Sequence, residues 1–178
     1  MRIISGKYKG RRFSPPADKW PTRPTTDFAK EALFNILNNL LDFEESSVLD
    51  LFGGTGSHCY EFISRGCTDV TYVDQLAPAV AFVKKTIESL GEANSIRIVQ
   101  SDVFQFIHNS GASYDYIFAG PPYPLKNLDS IPDKIFAHKM LNEDGLFILE
   151  HNAQHDFSNH EHFSQMRKYG GTHFTFFE

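Results

Sequence analysis

Residues 114–123 read Tyr-Asp-Tyr-Ile-Phe-Ala-Gly-Pro-Pro-Tyr, an apolar strand that stops at two prolines and an aromatic ring. Neither proline has an N–H to donate, so Pro121 and Pro122 cannot extend a sheet ladder. They stiffen a short turn and leave carbonyl oxygens pointing beyond the strand. Tyr123 then presents a flat ring at the carboxyl end, where open α/β sheets bind their ligands. A rigid, acceptor-rich turn beside an aromatic platform can hold a planar amine. The same residues also make an ordinary Pro-Pro turn, and taken alone they leave both readings open.

A second set of residues surrounds Val48-Leu49-Asp50-Leu51-Phe52-Gly53-Gly54-Thr55-Gly56. A glycine-rich turn between a strand and a helix lets a ligand approach the backbone, because no Cβ stands in the way. Glycine turns also arise simply to let a helix pack against a strand. As a dinucleotide fingerprint the run would be Gly54-x-Gly56-x-x-Cys59, with the third glycine missing and an acid, Asp50, inside the strand; both features weigh against a nicotinamide or flavin. Asp74 ends the next strand about 20 residues later, where a carboxylate can accept ribose hydroxyls. Ser101-Asp102 ends the third strand, placed for the rim of an adenine, although Asp102 could equally cap a helix beginning at Val103. Three polar strand endings and a glycine turn all converge on one crevice.

The elements that must position these groups alternate regularly. Apolar strands are expected over 48–52, 70–74, 96–100, 114–119 and 145–150, with helices over 57–65, 78–90, 103–108 and 130–140 between them. A closing antiparallel hairpin is expected from 167–169 and 172–177, joined through Gly170-Gly171. Ahead of them, residues 1–13 read as a short hairpin, and Thr25-Thr26-Asp27 reads as the N-cap of a helix over 28–41. Strand–helix alternation with buried strands predicts an α/β fold with a doubly wound, largely parallel, Rossmann-like sheet of seven strands, the last antiparallel.

With 41% apolar residues and 17 phenylalanines in 178, the chain has the composition of one globular domain, which excludes a disordered tail or scaffold. No apolar run reaches the roughly 18 residues of a membrane span, and the first residues do not read as a signal peptide. Two cysteines, Cys59 and Cys67, show no pairing pattern, so a reduced, cytoplasmic setting is expected. The net charge of −5 is unevenly spread: residues 1–30 carry eight basic and two acidic side chains, and the remainder nine and twenty. A basic arm on an acidic body fits one surface meeting a polyanion, and fits equally a solvated terminal charge run.

Taken together, Asp50-x-Phe52-x-Gly54-Thr55-Gly56, Asp74, Ser101-Asp102 and Pro121-Pro122-Tyr123 resemble an S-adenosylmethionine-dependent methyltransferase acting on an exocyclic amine. Arg2-Ile3-Ile4-Ser5-Gly6-Lys7-Tyr8-Lys9-Gly10-Arg11-Arg12, Arg23-Pro24-Thr25-Thr26-Asp27 and Glu31-Ala32-Leu33-Phe34-Asn35-Ile36-Leu37 narrow the resemblance to the bacterial RsmD family, and the likeness includes Glu150-His151. That family methylates N2 of a guanine in 16S ribosomal RNA. The resemblance implies S-adenosylmethionine as cofactor, leaving as S-adenosylhomocysteine. It implies Asp50, Phe52, Gly53, Gly54, Gly56, Asp74, Gln75, Ser101, Asp102 and Val103 around the cofactor, and Gly120, Pro121, Pro122 and Tyr123 around the reacting base. Arg2, Lys7, Lys9, Arg11, Arg12, Arg23, Thr25 and Thr26 would meet RNA, with residues 1–42 forming a basic RNA-binding extension of a single domain 1–178. The partner would be small-subunit RNA, naked or within an assembling 30S particle; a monomer is expected, with no membrane and no metal.

One position departs from the pattern. The family places Asp or Asn before the two prolines, and here Gly120 stands there. Three explanations compete: the carbonyls of Gly120 and Pro121 suffice at reduced rate; another acid, Asp27 foremost, enters the pocket; or the chain binds cofactor and RNA without methylating. The histidines at 151, 155, 160 and 162 lack the frame that would put metal ligands on one face. Cys59 reads as core, and the 174–177 run as sheet packing.

Overall fold

The computed structural model describes residues 1–21 and 23–178. In chain order the elements are α1 (Asp27–Leu37), β1 (Ser47–Leu51), α2 (Ser57–Ser64), β2 (Asp69–Asp74), α3 (Ala77–Leu90), β3 (Ile96–Gln100), α4 (Val103–Asn109), β4 (Tyr114–Ala119), α5 (Ile131–Ala137), β5 (Leu141–His151), β6 (Phe163–Tyr169) and β7 (Thr172–Phe177). They form one seven-stranded sheet in the order β3-β2-β1-β4-β5-β7-β6. Strands β1 to β5 are mutually parallel, and β7 runs antiparallel to both β5 and β6. The direction of winding reverses between β1 and β4, which opens a crevice at their carboxyl ends.

Side-chain alternation along the strands builds a core on each face. Val48, Tyr72, Tyr116, Phe118, Ile148 and Phe174 pack with α1, α2 and α3. Leu49, Leu51, Val73, Ile117, Phe147 and Leu149 pack with α4 and α5 on the other face. Each large apolar side chain removed from water in this way contributes roughly 1.5–3 kcal/mol. The same alternation sets Asp50 on the face of Val48, toward α2, and Glu150 on the face of Ile148, toward α1.

Local chemistry sets the helix ends. Thr26 caps α1, its hydroxyl accepting the Ala29 N–H at 3.2 Å. Asp102 caps α4 through the Gln105 N–H at 2.9 Å. Helix α3 closes on Gly91 in the left-handed region at φ 72°.

Five of the expected elements need correction. Helix α1 stops at Leu37 rather than 41, because Asn38-Asn39 favours a turn over helix interior. Helix α5 spans only Ile131–Ala137, entered through a 3₁₀ turn at Leu128–Ser130. Strand β5 begins at Leu141, and β6 begins at Phe163; β6 is an edge strand whose mostly polar residues carry little apolar signal. Residues 1–13 fold back as a ribbon carrying an isolated bridge, Arg2 to Arg12, instead of two strands.

That ribbon is docked on α2 by a buried carboxylate. Glu61 accepts the Ile4 and Ser5 N–H groups, both at 3.0 Å, and pairs with Lys30 at 3.3 Å and Arg65 at 3.0 Å. Gly6 closes the approach: at φ 83°, its missing Cβ would stand 1.9 Å from the Ser64 carbonyl. No helix among the described residues is long and apolar enough to cross a membrane.

Candidate active site

The glycine turn leaves β1 through Phe52 at φ 58°, Gly54 at φ 50° and Gly56 at φ 77° before α2 begins. Two tethers hold it against β2. Asp74 Oδ2 accepts the Gly54 N–H at 2.9 Å, and the Tyr72 hydroxyl donates to the Gly54 carbonyl at 2.8 Å. Gly53 must lack a side chain, because a Cβ there would meet the Tyr72 ring at 2.4 Å. The turn therefore presents bare backbone to the crevice, as its composition leads one to expect.

The crevice is lined by Arg23, Pro24, Thr25, Lys30, Asp50, Phe52, Gly53, Gly54, Thr55, Ser57, His58, Phe118, Gly120 and Glu150. Two carboxylates, Asp50 and Glu150, line it beside the cations Arg23 and Lys30, and a third, Asp74, stands under the glycine turn. Asp50 is buried, accepts the Cys59 thiol at 3.2 Å, and is pushed up to about 7 by burial, with the nearby Asp74 and Glu150 charges adding to the shift. Asp74 uses its other oxygen to accept the Leu76 N–H at 2.8 Å. Glu150 Oε1 accepts the Tyr123 hydroxyl at 3.0 Å, and Oε2 accepts the Thr25 hydroxyl. Burial raises the Glu150 pKa against the lowering effect of those two hydroxyls and of Arg23. His58 is held neutral, its pKa driven well down by burial and by Lys30; it bonds the Tyr116 hydroxyl at 3.0 Å and stacks on Phe118 at 4.0 Å.

A second hollow adjoins the first. Pro21, Arg23, Gly120, Pro121, Pro122, Tyr123 and Pro124 line it, so Arg23 and Gly120 border both spaces. Tyr123 is half-buried, with its hydroxyl pushed up to about 12 chiefly by burial and then by the Glu150 carboxylate. A wider hollow at Phe136, Asn142, Gly145 and Glu178 sits at the opposite end of β5 from Glu150, away from these groups.

The remaining expected site residues fall around this centre in different ways. Gln75 is exposed beside Asp74, Val103 is buried at the start of α4, and Ser101 Oγ donates to the Asp102 carbonyl at 2.9 Å. On the arm, Lys9, Arg11 and Arg12 are exposed, Arg2 reaches Glu31 at 3.7 Å, and Lys7 pairs with Glu92. Thr25 is engaged with Glu150, and Thr26 serves as the α1 cap. Lys30, counted with the basic arm, is instead buried, donating to the Arg2 carbonyl at 2.6 Å and to Ser57 at 3.0 Å. Asp27 lines a neighbouring hollow with Phe13 and Pro15; the acid beside Gly120 is Glu150. Glu150 ends a central strand just as Asp50 and Asp74 do near their strand ends, and that position is the signal that could have singled it out. Among the described residues no three metal-ligating side chains gather.

The buried carboxylates of Asp50 and Glu150 give this crevice places for the positive charges of a ligand. S-adenosylmethionine, with its sulfonium and ammonium charges and ribose diol, fits this donor set: backbone at the glycine turn, Asp74 beside it, and Asp50 and Glu150 deeper in.

The profile of the family described as "Conserved hypothetical protein 95" matches residues 1–178. The ribosomal RNA small subunit methyltransferase D of Buchnera aphidicola is 31% identical over 150 residues, covering 84% of this chain and 75% of its own length. A hypothetical protein from Thermus thermophilus superposes with a TM-score of 0.86 at 25% identity, covering 100% of this chain and 99% of that one. A 16S rRNA N2 methyltransferase of the same organism, RsmC, solved with AdoMet and guanosine, shares the fold at a TM-score of 0.67 and 23% identity, over 86% of this chain and 43% of that one.

Proposed function

This chain belongs to the Conserved hypothetical protein 95 family, the RsmD family that its sequence resembles, and from that membership we propose that it methylates the exocyclic N2 of a guanine in 16S ribosomal RNA. The observation that carries the reading is the pair of adjoining hollows bordered by Gly120 and Arg23. One carries the glycine turn with Asp50 and Glu150 and suits the cofactor; the other is a proline-walled slot with a tyrosine ring, suited to a flat base.

S-adenosylmethionine, when bound, supplies a methyl group already activated on a positively charged sulfur. The chain's own contribution is alignment and the exclusion of water. The glycine turn and Asp74 would hold the nucleoside end, while Asp50 and Glu150 complement positive charge. A base inside a stacked helix cannot reach the crevice, so it must be unstacked and received by Tyr123 between Pro122 and Arg23. Lys9, Arg11, Arg12 and Arg23 would neutralise phosphates and orient the RNA, as a monomer acting on free RNA or on an assembling small subunit.

The test is transfer of labelled methyl from S-adenosylmethionine to small-subunit RNA from a strain lacking the modification, offered both protein-free and as particles. Digestion to nucleosides should yield N2-methylguanosine. Label in another nucleoside, or no label on either substrate, overturns the reading.

A further inference from the structure

Gly120 is glycine for a reason other than backbone conformation, since its φ lies outside the left-handed region. A Cβ built there would stand 3.2 Å from the Phe118 ring and 3.9 Å from Glu150 Oε2. The nearest carboxylate oxygen to the vacated space is therefore that of Glu150, reaching in from the neighbouring strand. Glu150 is 4% exposed. Glu150 lines the crevice, and its two oxygens are bonded to residues of both hollows: Oε1 to Tyr123, which lines the slot, and Oε2 to Thr25, which lines the crevice. Both partners are hydroxyls that donate, so the group is held as an acceptor, and each oxygen keeps a further lone pair. Arg23, bordering both spaces, favours the ionised form.

We propose that Glu150 is the amine-binding carboxylate of this enzyme, accepting the hydrogen bond of the substrate's exocyclic amine that a side chain at position 120 would otherwise take. The proposal rests on the methyl-transfer reading above. Guanine N2 is a poor nucleophile because its lone pair is delocalised into the ring; a carboxylate on one N–H draws that pair out of conjugation and aims it. As the bond between N2 and methyl forms, the bond between sulfur and methyl breaks, sulfur keeps the electron pair and becomes a neutral thioether, and the amine proton passes to Glu150 and then to water. Glu150 thus serves as acceptor and proton relay, a role that charge-assisted bonding suits better than a neutral carbonyl.

Guanosine and inosine differ by this amine, so their relative binding reads the contact without turnover. The full chain should prefer guanosine by about tenfold, as expected for a hydrogen bond to a charged group, and Glu150→Ala should reduce the ratio to about one. On RNA, Glu150→Ala should lower kcat by about a hundredfold. Glu150→Gln, which can still accept from a neighbouring hydroxyl, should lower kcat by about tenfold with Tm unchanged and a clearly smaller loss of S-adenosylmethionine affinity. An unchanged guanosine preference in Glu150→Ala, or a cofactor affinity that falls in step with kcat, overturns the proposal and leaves Glu150 as a prop for Thr25 and Tyr123. The two readings fail separately. A chain that transfers no methyl yet shows Glu150-dependent guanosine preference sinks the reaction alone. A chain that methylates N2 equally well with and without Glu150 sinks the amine site alone.

Discussion

Asp74 grips Gly54 across twenty positions of sequence, its Oδ2 accepting the Gly54 N–H at 2.9 Å while Oδ1 accepts that of Leu76 at 2.8 Å. One carboxylate thus shapes the glycine turn and starts α3, and we propose that its remaining lone pairs accept the ribose hydroxyls of the cofactor. Asp74→Asn points an amide N–H at one of those backbone donors. Calorimetric titration with S-adenosylmethionine should find affinity reduced at least tenfold, since charge-assisted bonds are about twice as strong as neutral ones. Unaltered affinity would place the ribose elsewhere.

Gly120→Asp sets a second carboxylate beside Glu150 in a buried space, where two like charges resist joint ionisation. The substituted side chain must also displace the Phe118 ring, which stands 3.2 Å from the new Cβ. Alone, the substitution should give no gain in methyl transfer. Combined with Glu150→Ala, it should restore part of the lost turnover, measured as label incorporated per minute into small-subunit RNA.

Lys30 and Glu61 form a buried pair at 3.3 Å, with side-chain exposures of 1% and 0%. Burial lowers the Lys30 pKa while Glu61 opposes the shift. Lys30→Met leaves Glu61 without one of its cations in the interior, although Arg65 remains. Removal of one partner from such a pair typically costs about 3–5 kcal/mol, and urea unfolding should read a loss toward the lower end of that range. The 1–13 ribbon, which depends on Glu61, should become more sensitive to proteolysis.

Asp50 titrates at about 7 in the fold against 3.8 for an exposed aspartate. The folded state therefore binds this proton more tightly than the unfolded chain does, and the resulting stability is fully present below 3.8 and lost as pH rises through about 7. His58 acts in the opposite sense, since a lowered pKa withdraws stability as pH falls below 6.5. Comparing the protein with Asp50→Asn at each pH isolates the aspartate. The thermal midpoint of the unliganded protein should fall relative to that variant between pH 4 and 7 and run parallel above 7. S-adenosylmethionine binding at pH 6 should release protons, read as a dependence of binding enthalpy on buffer.

Much of this molecule was legible in the chain. Largely apolar strands alternating with helical stretches dictated a doubly wound sheet, because a strand buried on both faces reads as a near-continuous apolar run. The glycine turn, Asp74 and Pro121-Pro122-Tyr123 were readable because their chemistry is local: an absent Cβ, a missing N–H, a carboxylate at a strand end. Where the periodic signal was weak, at Asn38-Asn39 and along edge strand β6, the element boundaries moved.

What the sequence determined by itself was the architecture and the position of the crevice at the carboxyl ends of β1 and β4. Only the tertiary structure decided which acid stands beside Gly120. Asp27 is closer to the Arg-Pro-Thr-Thr motif in sequence, yet it faces another hollow, whereas Glu150, 30 positions after Gly120, lies on the adjoining strand in a parallel register that pairs Ala119 with Leu149. It likewise decided that Lys30, one of the arm's charges by composition, is spent on holding Glu61. The reason in both cases is that side-chain neighbours in a parallel sheet are set by strand register and long crossovers, so groups remote in sequence meet at distances that no local pattern encodes.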